Sequence, residues 1–420
     1  MKRAGIYIFW IIIILGLVVR MLSLSFNGIF DIATYNEWGL NTLKNGLNET
    51  FQGIYFPFQY QLFEFSSWLA VKLNIEYFII FKSVNLIFDI GNLVVLYFIL
   101  KKLGISKFYL LIYWIHPWFL NMFSLGYCDF QFTFFILCTI FFILKATSVS
   151  RDFLIAGIFL GFAFLMKPQV EIIVLSFFIY GMFLFFRNRD IKVLHIFIFP
   201  AILFINYSLY FFITSGDPFR VAHAYLSVAD ASVVCLNANF LNFWFPVAYL
   251  MKSDGDPIYS ISDLTEFAGI PLRYLAIIIV LLLIILFIKK LADKKSSDHG
   301  LSLLMIASFS SFVVPFVMTS AHENHLFLGT VLIIPLLALS KSLLFRISVH
   351  IILVLQAINL YGYYGFGEGR TFSLNFSYTY EIALILSLVA SLASIIILYF
   401  FFRLKSDHST KSLDKSIIEK

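Results

Sequence analysis

Two aspartates follow or open apolar segments in positions where a carboxylate could do chemistry. Asp31 comes soon after the first apolar segment and is followed by Tyr35 and Trp38, and Asp129 opens a later apolar segment. A carboxylate at the mouth of a helical bundle can act as general base on an acceptor hydroxyl or bind a divalent cation. The simpler interpretation is that Asp31 caps the helix that follows it and that Asp129 only interacts with a helix dipole.

A lysine interrupts apolar sequence at Lys167, followed by Pro168 and Gln169. A cation at or below a membrane interface is costly unless it reaches water or has a partner, so it is a candidate site residue. Lysine is suited to hold a phosphate as a point charge. The alternative is a self-neutralising pair between Lys167 and Glu171.

A third polar segment runs from His322 through Glu323 to His325, between two apolar segments. On a helix the two histidines, three residues apart, would share a face. Two histidines without a third convincing ligand are a weak zinc signature, so we expect no metal centre here. We expect contacts to a sugar or a phosphate, and the alternative is interfacial anchoring.

Three arginines could serve as phosphate clamps, because arginine binds phosphate through two parallel hydrogen bonds. They are Arg20, Arg220 and Arg273. Each could instead be an anchor at the membrane surface. Their spacing does not choose between these roles.

The composition defines the elements that must position these residues. The chain of 420 residues is 61% hydrophobic and 13% charged, with a mean hydropathy of +0.91, which excludes a water-soluble globular protein. Apolar runs predict an all-α polytopic membrane protein with about twelve spans, near residues 6–24, 78–100, 106–125, 130–146, 153–166, 169–186, 193–214, 271–288, 301–319, 326–340, 347–363 and 381–402.

The distribution of basic residues predicts the orientation. Most of the 30 Lys and Arg fall in loops that lie on one side if the N-terminus is cytoplasmic, so both termini are expected in the cytoplasm. Topology therefore explains the net charge of +6, and no nucleic-acid partner is expected. All the candidate residues above then lie on the non-cytoplasmic face.

We expect one membrane domain over residues 1–403 and a cytoplasmic tail over 404–420. Two long outer loops, 25–77 and 215–270, stand out. Within the first loop, an amphipathic stretch near 35–47 and an aromatic stretch over 56–73 are typical of interfacial helices. The middle of the second loop, 237–250, could form a re-entrant or interfacial helix.

Several short motifs, taken in chain order, resemble those of the GT-C superfamily of membrane glycosyltransferases, and in particular the PIG-V-related mannosyltransferases of glycosylphosphatidylinositol assembly. The first-loop acid with its following aromatic residues and Trp38 is similar to that family's first-loop pattern. The other matching motifs are Tyr55-Phe56-Pro57 (for Tyr-Pro-Pro), Gly126 to Asp129 (Gly-Gln-x-Asp), Lys167-Pro168-Gln169 (Lys-Pro-Gln), Asn237 to Trp244 (Asn-Ala-x-Asn-x-Trp) and His322-Glu323 (His-Glu-Arg-Tyr).

The resemblance implies a GT-C-like bundle and inverting transfer of mannose or another hexose from a polyprenyl-phosphate donor, such as dolichyl phosphate mannose, to a lipid, glycan or protein acceptor. It implies that Asp31 is the catalytic base. With the residue chemistry above, the expected substrate-binding residues are Tyr35, Trp38, Asp129, Lys167, Gln169, Arg220, Asn239, His322 and Glu323. No cofactor is expected beyond a divalent cation that the carboxylates could bind.

Two departures from the family pattern affect the expected sugar. Tyr127 stands where the family commonly has Gln, and Asn324-His325 replaces Arg-Tyr. The identity of the sugar therefore does not follow from the resemblance.

Two other classes compete with this interpretation. A polysaccharide polymerase or ligase also has long outer loops. A secondary transporter or lipid flippase also has about twelve spans, but such proteins usually place polar residues near the midplane and have internal repeats.

Overall fold

The computed structural model describes residues 2–146, 150–231, 234–253, 255–293, 299–366 and 379–403. These residues form α-helices, short 3₁₀ turns and one antiparallel ribbon, which pairs Glu266–Phe267 with Ile270–Pro271. The predicted tail, 404–420, lies outside the described residues.

The helices are α1 (Lys2–Ser23), α2 (Asp31–Asn45), α3 (Leu47–Thr50), α4 (Pro57–Leu73), α5 (Tyr77–Lys102), α6 (Leu110–Ile115), α7 (Pro117–Leu125), α8 (Asp129–Lys145), α9 (Ser150–Phe164), α10 (Glu171–Asn188), α11 (Ile198–Ser215), α12 (Arg220–Ala231), α13 (Trp244–Met251), α14 (Leu272–Ala292), α15 (His299–Val317), α16 (Phe327–Leu339), α17 (Leu343–Tyr364) and α18 (Tyr380–Arg403).

Eight helical segments in the described part of the chain are long and apolar enough to cross a membrane. They contain α1, α5, α10, α11, α14, α15, α17 and α18. The prediction of an all-α, multi-pass membrane protein is therefore confirmed. The count of twelve is not, because four predicted spans, near 106–125, 130–146, 153–166 and 326–340, contain shorter helices.

Proline and lysine explain two of the shorter helices. The segment near 106–125 divides into α6 and α7 at His116, because Pro117 cannot donate the backbone hydrogen bond that would continue the first helix. The apolar run from 153 breaks at Lys167, where α9 has ended and a 3₁₀ turn at Pro168–Val170 leads into α10. The lysine that interrupts the apolar sequence thus lies at a break between two helices.

Both helices predicted in the first loop are present, as α2 and α4, and they pack against each other. Gly39 makes the close approach possible. A Cβ there would lie 2.5 Å from the carbonyl oxygen of Phe63 on α4 and 2.2 Å from the Ser67 hydroxyl. In the second loop, α13 covers the end of the stretch 237–250 and the preceding residues form a loop.

The most enclosed of the candidate spans is α15, in which 94% of the apolar window is buried. It packs against α8, α10, α14, α16 and α18 and forms the centre of the bundle. Gly329 lets α16 approach it, since a Cβ there would lie 2.7 Å from the carbonyl oxygen of Ser311.

The chain between α1 and α2 is fixed by backbone contacts just before Asp31. Lys82 is fully buried and donates hydrogen bonds to the carbonyl oxygens of Ser23 and Phe26. The backbone N–H of Ile29 donates to the Leu125 carbonyl oxygen at 2.9 Å. Asp31 therefore begins α2 from a defined position.

We expect Gly28→Ala to destabilise the protein by more than about 1 kcal/mol. Gly28 has φ of +81°, and an added Cβ would lie 2.6 Å from the Leu125 carbonyl oxygen. The control is Gly104→Ala, which has φ of +68° but open space around the new Cβ. Thermal unfolding of both variants in detergent measures the difference, and equal losses would show that the contact with Leu125 is unimportant.

Candidate functional site

A buried ion pair joins the start of α8 to the break before α10. Lys167 Nζ donates to Asp129 Oδ1 at 2.9 Å, and the lysine side chain is 7% exposed. The second carboxylate oxygen, Asp129 Oδ2, accepts a hydrogen bond from Asn324 Nδ2 at 3.1 Å. Both oxygens of Asp129 are thus occupied, and the partner of Lys167 is Asp129 and not Glu171.

A second contact ties the same segments together. Tyr127 donates a hydrogen bond from its hydroxyl to Glu323 Oε1, and both side chains are buried. Tyr364, at the end of α17, lies beside Glu323. The Gly126–Asp129 segment and the His322–His325 segment are therefore linked by two side-chain hydrogen bonds.

Asp31 is half-buried, and charges from two distant segments act on its carboxylate. Burial and, next, the negative charge of Glu323 raise the pKa of the Asp31 carboxyl above its ordinary value, while His322 and Lys167 act in the opposite direction. Two segments distant in sequence, at Lys167 and at His322–Glu323, thus bring charges to one carboxylate on α2. We call Asp31, Asp129, Lys167, Glu323 and Asn324 the acid–lysine cluster.

Asp31 does not occupy the N-cap position that the helix-cap interpretation requires. Phe30 occupies the N-cap position of α2, and Asp31 is the first residue of the helix. Its carboxylate accepts a long hydrogen bond, 3.4 Å, from the Tyr35 hydroxyl one turn later. The half-buried carboxylate keeps lone pairs for a further partner.

An aromatic wall flanks the cluster on α2 and α4. The hydroxyls of Tyr35 and Tyr55 lie 2.9 Å apart, and the Tyr35 ring stacks on Phe63 with centroids 4.6 Å apart. Trp38 packs against Tyr60 at 5.4 Å. Burial raises the pKa of both hydrogen-bonded tyrosines well above the usual value, so they remain protonated donors.

Backbone contacts place Lys167 beside this wall. The Phe56 N–H donates to the Met166 carbonyl oxygen at 3.0 Å, and the Phe58 N–H donates to that of Leu165 at 2.9 Å. The Tyr55-Phe56-Pro57 motif is thus attached to the residues immediately before Lys167.

A buried amide network fixes the start of α8. Gln59 Nε2 donates to Gln131 Oε1 at 2.8 Å, and Gln131 Nε2 donates to Asn85 Oδ1 at 2.7 Å. Asn85 Nδ2 donates to the Tyr127 carbonyl oxygen at 3.1 Å. The network joins α4, α5 and α8 and holds the segment that carries Asp129.

Asp263 anchors the segment that precedes His322. It is fully buried and accepts hydrogen bonds from Thr319 at 2.9 Å and Ser320 at 3.2 Å. Arg273 forms an ion pair with it at 2.8 Å. The structure therefore gives Arg273 a positioning contact within the second loop.

The two histidines contact each other. Their rings are edge-to-face with centroids 5.2 Å apart, and His325 Nδ1 accepts from the His322 backbone N–H at 3.2 Å. Burial, then the charges of His322 and Lys167, lower the pKa of His325 well below its ordinary value, so it is neutral at neutral pH. The described residues contain no group of three or more His, Cys, Asp or Glu that could hold a metal ion.

The other predicted residues lie outside the cluster's hydrogen bonds. The buried side-chain nitrogen of Gln169 has no hydrogen-bond partner among the residues that the structure describes. Asn239 adopts φ of +63°, and its carbonyl oxygen accepts from Asn359 Nδ2 at 3.0 Å. Arg220 donates to the Asn48 carbonyl oxygen at 2.8 Å and so joins α12 to α3.

Arg20 also forms its hydrogen bonds and its ion pair with other residues of the protein. It is fully buried in an ion pair with Asp89 of α5, donates to the Trp114 carbonyl oxygen at 2.8 Å and lies 3.7 Å from that indole's centroid. Tyr113 donates to the same carboxylate. These contacts lock α1, α5 and α6 together.

Three residues in or beside the cluster, Tyr127, Asn324 and Tyr364, are not among the predicted substrate-binding residues. Tyr127 and Asn324 are departures from a family pattern at positions expected to touch donor or acceptor, and each bonds an acid of the opposite motif. Their position inside two motifs was the available signal. Tyr364 had no such signal, because its place follows from how α17 packs.

The fold and the cluster define a multi-pass, all-α membrane protein with a buried charged site at the ends of several helices. No protein-family model matches the chain, and searches of curated proteins and of solved structures find no significant match.

Proposed function

We propose that this protein is an inverting glycosyltransferase that uses a polyprenyl-phosphate sugar, with Asp31 as the catalytic base. One observation carries the proposal. The charge of a buried lysine, at a distant break between helices, acts on a half-buried carboxylate of a first-loop helix, and that lysine is held by an ion pair with Asp129. This arrangement supplies a candidate base for the acceptor and a candidate cation for the leaving phosphate in one cluster.

The reaction needs few groups. Asp31 takes the proton of an acceptor hydroxyl, whose oxygen attacks the anomeric carbon of the donor sugar. The bond between that carbon and the phosphate oxygen breaks, and the phosphate leaves with the electron pair. Inversion requires one base and no covalent intermediate.

Lys167 is suited to the leaving group. Its ammonium has three N–H donors, and the Asp129 bond at 2.9 Å uses one of them. The remaining donors can stabilise the charge that develops on the departing phosphate. A polyprenyl tail would stay in the bilayer, so no nucleotide-binding loop is needed.

The distribution of basic residues supports placing this site on the non-cytoplasmic face, with both termini in the cytoplasm. Cysteine labelling from each side tests that orientation. The test variant is Glu37→Cys, on the exposed side of α2. Labelling of this cysteine from the cytoplasmic side would overturn the orientation.

The activity test is sugar transfer by the purified full-length chain in proteoliposomes. Radiolabelled polyprenyl-phosphate mannose, glucose and other hexoses are supplied with a lipid extract as acceptor. Transfer that needs the acceptor and depends on Asp31 supports the proposal. Two results would count against the proposal. One is transfer that is unaffected by loss of Asp31, and the other is no transfer with any donor.

The raised pKa of Asp31 predicts the pH dependence of transfer. The base acts only when deprotonated, so kcat/KM should fall as pH drops through a pKa above the ordinary aspartate range. Glu323→Gln removes a charge that raises this pKa. We therefore expect the acid limb to move to lower pH in that variant, measured from pH–rate profiles.

Glu37→Gln is the matched control for this shift. Glu37 is an exposed acid on the same helix, and it is not among the charges that affect Asp31. The Glu37→Gln protein should therefore have the same acid limb in its pH–rate profile as the wild type. If the acid limb of Glu323→Gln also stays at the wild-type pH, a group other than Asp31 determines it.

A further inference from the structure

We infer that a cavity between α2, α4 and α11 binds a sugar unit of a membrane-anchored glycolipid, which serves as the acceptor. The inference rests on the proposed function and extends it to a second site. The cavity has a volume of about 360 Å³ and lies between the last turn of α2, the start of α3, the first half of α4 and the side of α11.

Hydrogen-bonding side chains converge on this cavity without partners in the described part of the chain. The side chains of Glu64, Asn206 and Tyr210 make no hydrogen bond or ion pair there. Gln61 and Tyr207 also line the cavity and bond each other at 2.7 Å. The free groups are a carboxylate, an amide and a phenol, which can donate to and accept from the hydroxyls of a sugar.

The charge of the lining excludes a phosphate as the preferred ligand. None of the described residues that line the cavity is Lys, Arg or His, and Glu64 contributes a carboxyl group whose pKa is raised by burial. An anion would meet this acid without a compensating cation. A neutral ligand with many hydroxyls suits the site better.

At Gly46 the backbone itself forms part of the cavity wall and leaves space for a ligand. Gly46 lies in its wall with φ of +85°, and a Cβ built there meets no atom within 4 Å. The tyrosine rings of Tyr207 and Tyr210 supply flat apolar surface beside the polar groups. Flat rings and hydrogen-bonding edges together fit the two kinds of surface on a sugar ring.

The position on α11 argues for a lipid-anchored ligand. This helix belongs to a candidate membrane span, and Ile205, Leu209 and Ile213 on it are 62%, 53% and 73% exposed. An asparagine on such a span is costly unless it faces a polar cavity or a polar ligand. A sugar in the cavity would therefore leave its lipid chains beside the apolar residues of α11.

The cavity is distinct from the acid–lysine cluster. Asp31 begins α2 and Thr42, which lines the cavity, lies eleven residues later, a separation of about 16 Å along a helix. A single sugar ring cannot fill both places. The glycolipid would be held here by one sugar while another part of its glycan reaches Asp31.

Photolabelling of the full-length protein in phosphatidylcholine nanodiscs tests the inference. The probe is octyl mannoside or octyl glucoside with a diazirine in the alkyl chain, and the labelled peptides are identified by mass spectrometry. We expect labelling on α11 and α4 that unlabelled octyl glycosides displace. Octyl phosphocholine and octylamine should displace it poorly.

Variants locate the site independently of catalysis. Glu64→Ala and Asn206→Leu should each weaken labelling by up to about tenfold, the size expected for loss of a hydrogen bond to the sugar. Glu76→Gln, an exposed acid outside the cavity, should not change it. Asp31→Asn should label like wild type, so failure of sugar transfer and failure of this site are distinguishable.

Three outcomes would overturn the inference. Labelling that is unchanged in both cavity variants would place the ligand elsewhere. Equal displacement by octyl phosphocholine would indicate a general lipid-headgroup groove, and stronger displacement by octylamine would indicate an amine site at Glu64.

Discussion

Asp31→Asn is expected to lower turnover by about 100-fold or more, which is the size of a general-base contribution. The substitution keeps the side chain's size and its ability to bond the Tyr35 hydroxyl, but it removes basicity. Binding of the donor should change little, because the acid acts on the acceptor. Initial rates at saturating donor, together with the KM for the donor, measure both effects.

The alternative base within the cluster is Asp129. Its two oxygens already bind Lys167 and Asn324, and it is fully buried, which leaves it poorly placed to receive an acceptor proton. If Asp31→Asn kept near-normal turnover while Asp129→Asn abolished it in a folded protein, the base would be Asp129. Glu37→Gln, on the exposed side of α2, should be indistinguishable from wild type.

Local patterns predicted the elements around the site because each depends on nearby residues. The amphipathic stretch after Asp31 forms α2, and the aromatic stretch that starts at Phe56 forms α4. The break at Lys167 follows from a charge and a proline in apolar sequence. Such signals need no knowledge of the tertiary fold.

The pairing of residues across the fold could not be predicted in the same way. Glu171, four residues from Lys167, was the nearest partner in sequence, but the ion pair forms with Asp129 on another helix. Phe56 and Phe58 fix the backbone before this lysine, and the amide network fixes the start of α8. Contacts between distant segments decide the partner.

The predicted count of twelve membrane spans is not confirmed, for a related reason. Composition measures how apolar a segment is, but the length of a helix depends on where its backbone hydrogen bonds stop. At His116 and Pro117 one apolar run becomes two short helices, and α16 contains only 13 residues. Neither length follows from hydropathy alone.

Removal of Lys167 alone is expected to destabilise the protein strongly, since it would leave Asp129 buried without its cation. Breaking a buried ion pair in this way typically costs about 3–5 kcal/mol. Arg187 and Asp293 form an exposed pair at 2.9 Å and provide the control. Arg187→Met should cost less than about 1 kcal/mol in the same thermal unfolding measurement.

The double variant Lys167→Met with Asp129→Asn separates folding from donor binding. It removes both charges, so it should recover most of the stability that Lys167→Met loses, while Asn keeps an oxygen for the Asn324 bond. It should still lack a cation for the phosphate, so we expect kcat/KM for the polyprenyl-phosphate donor to fall by about tenfold to a hundredfold. A stable double variant with normal donor use would assign Lys167 a structural role, and the phosphate would then need another cation.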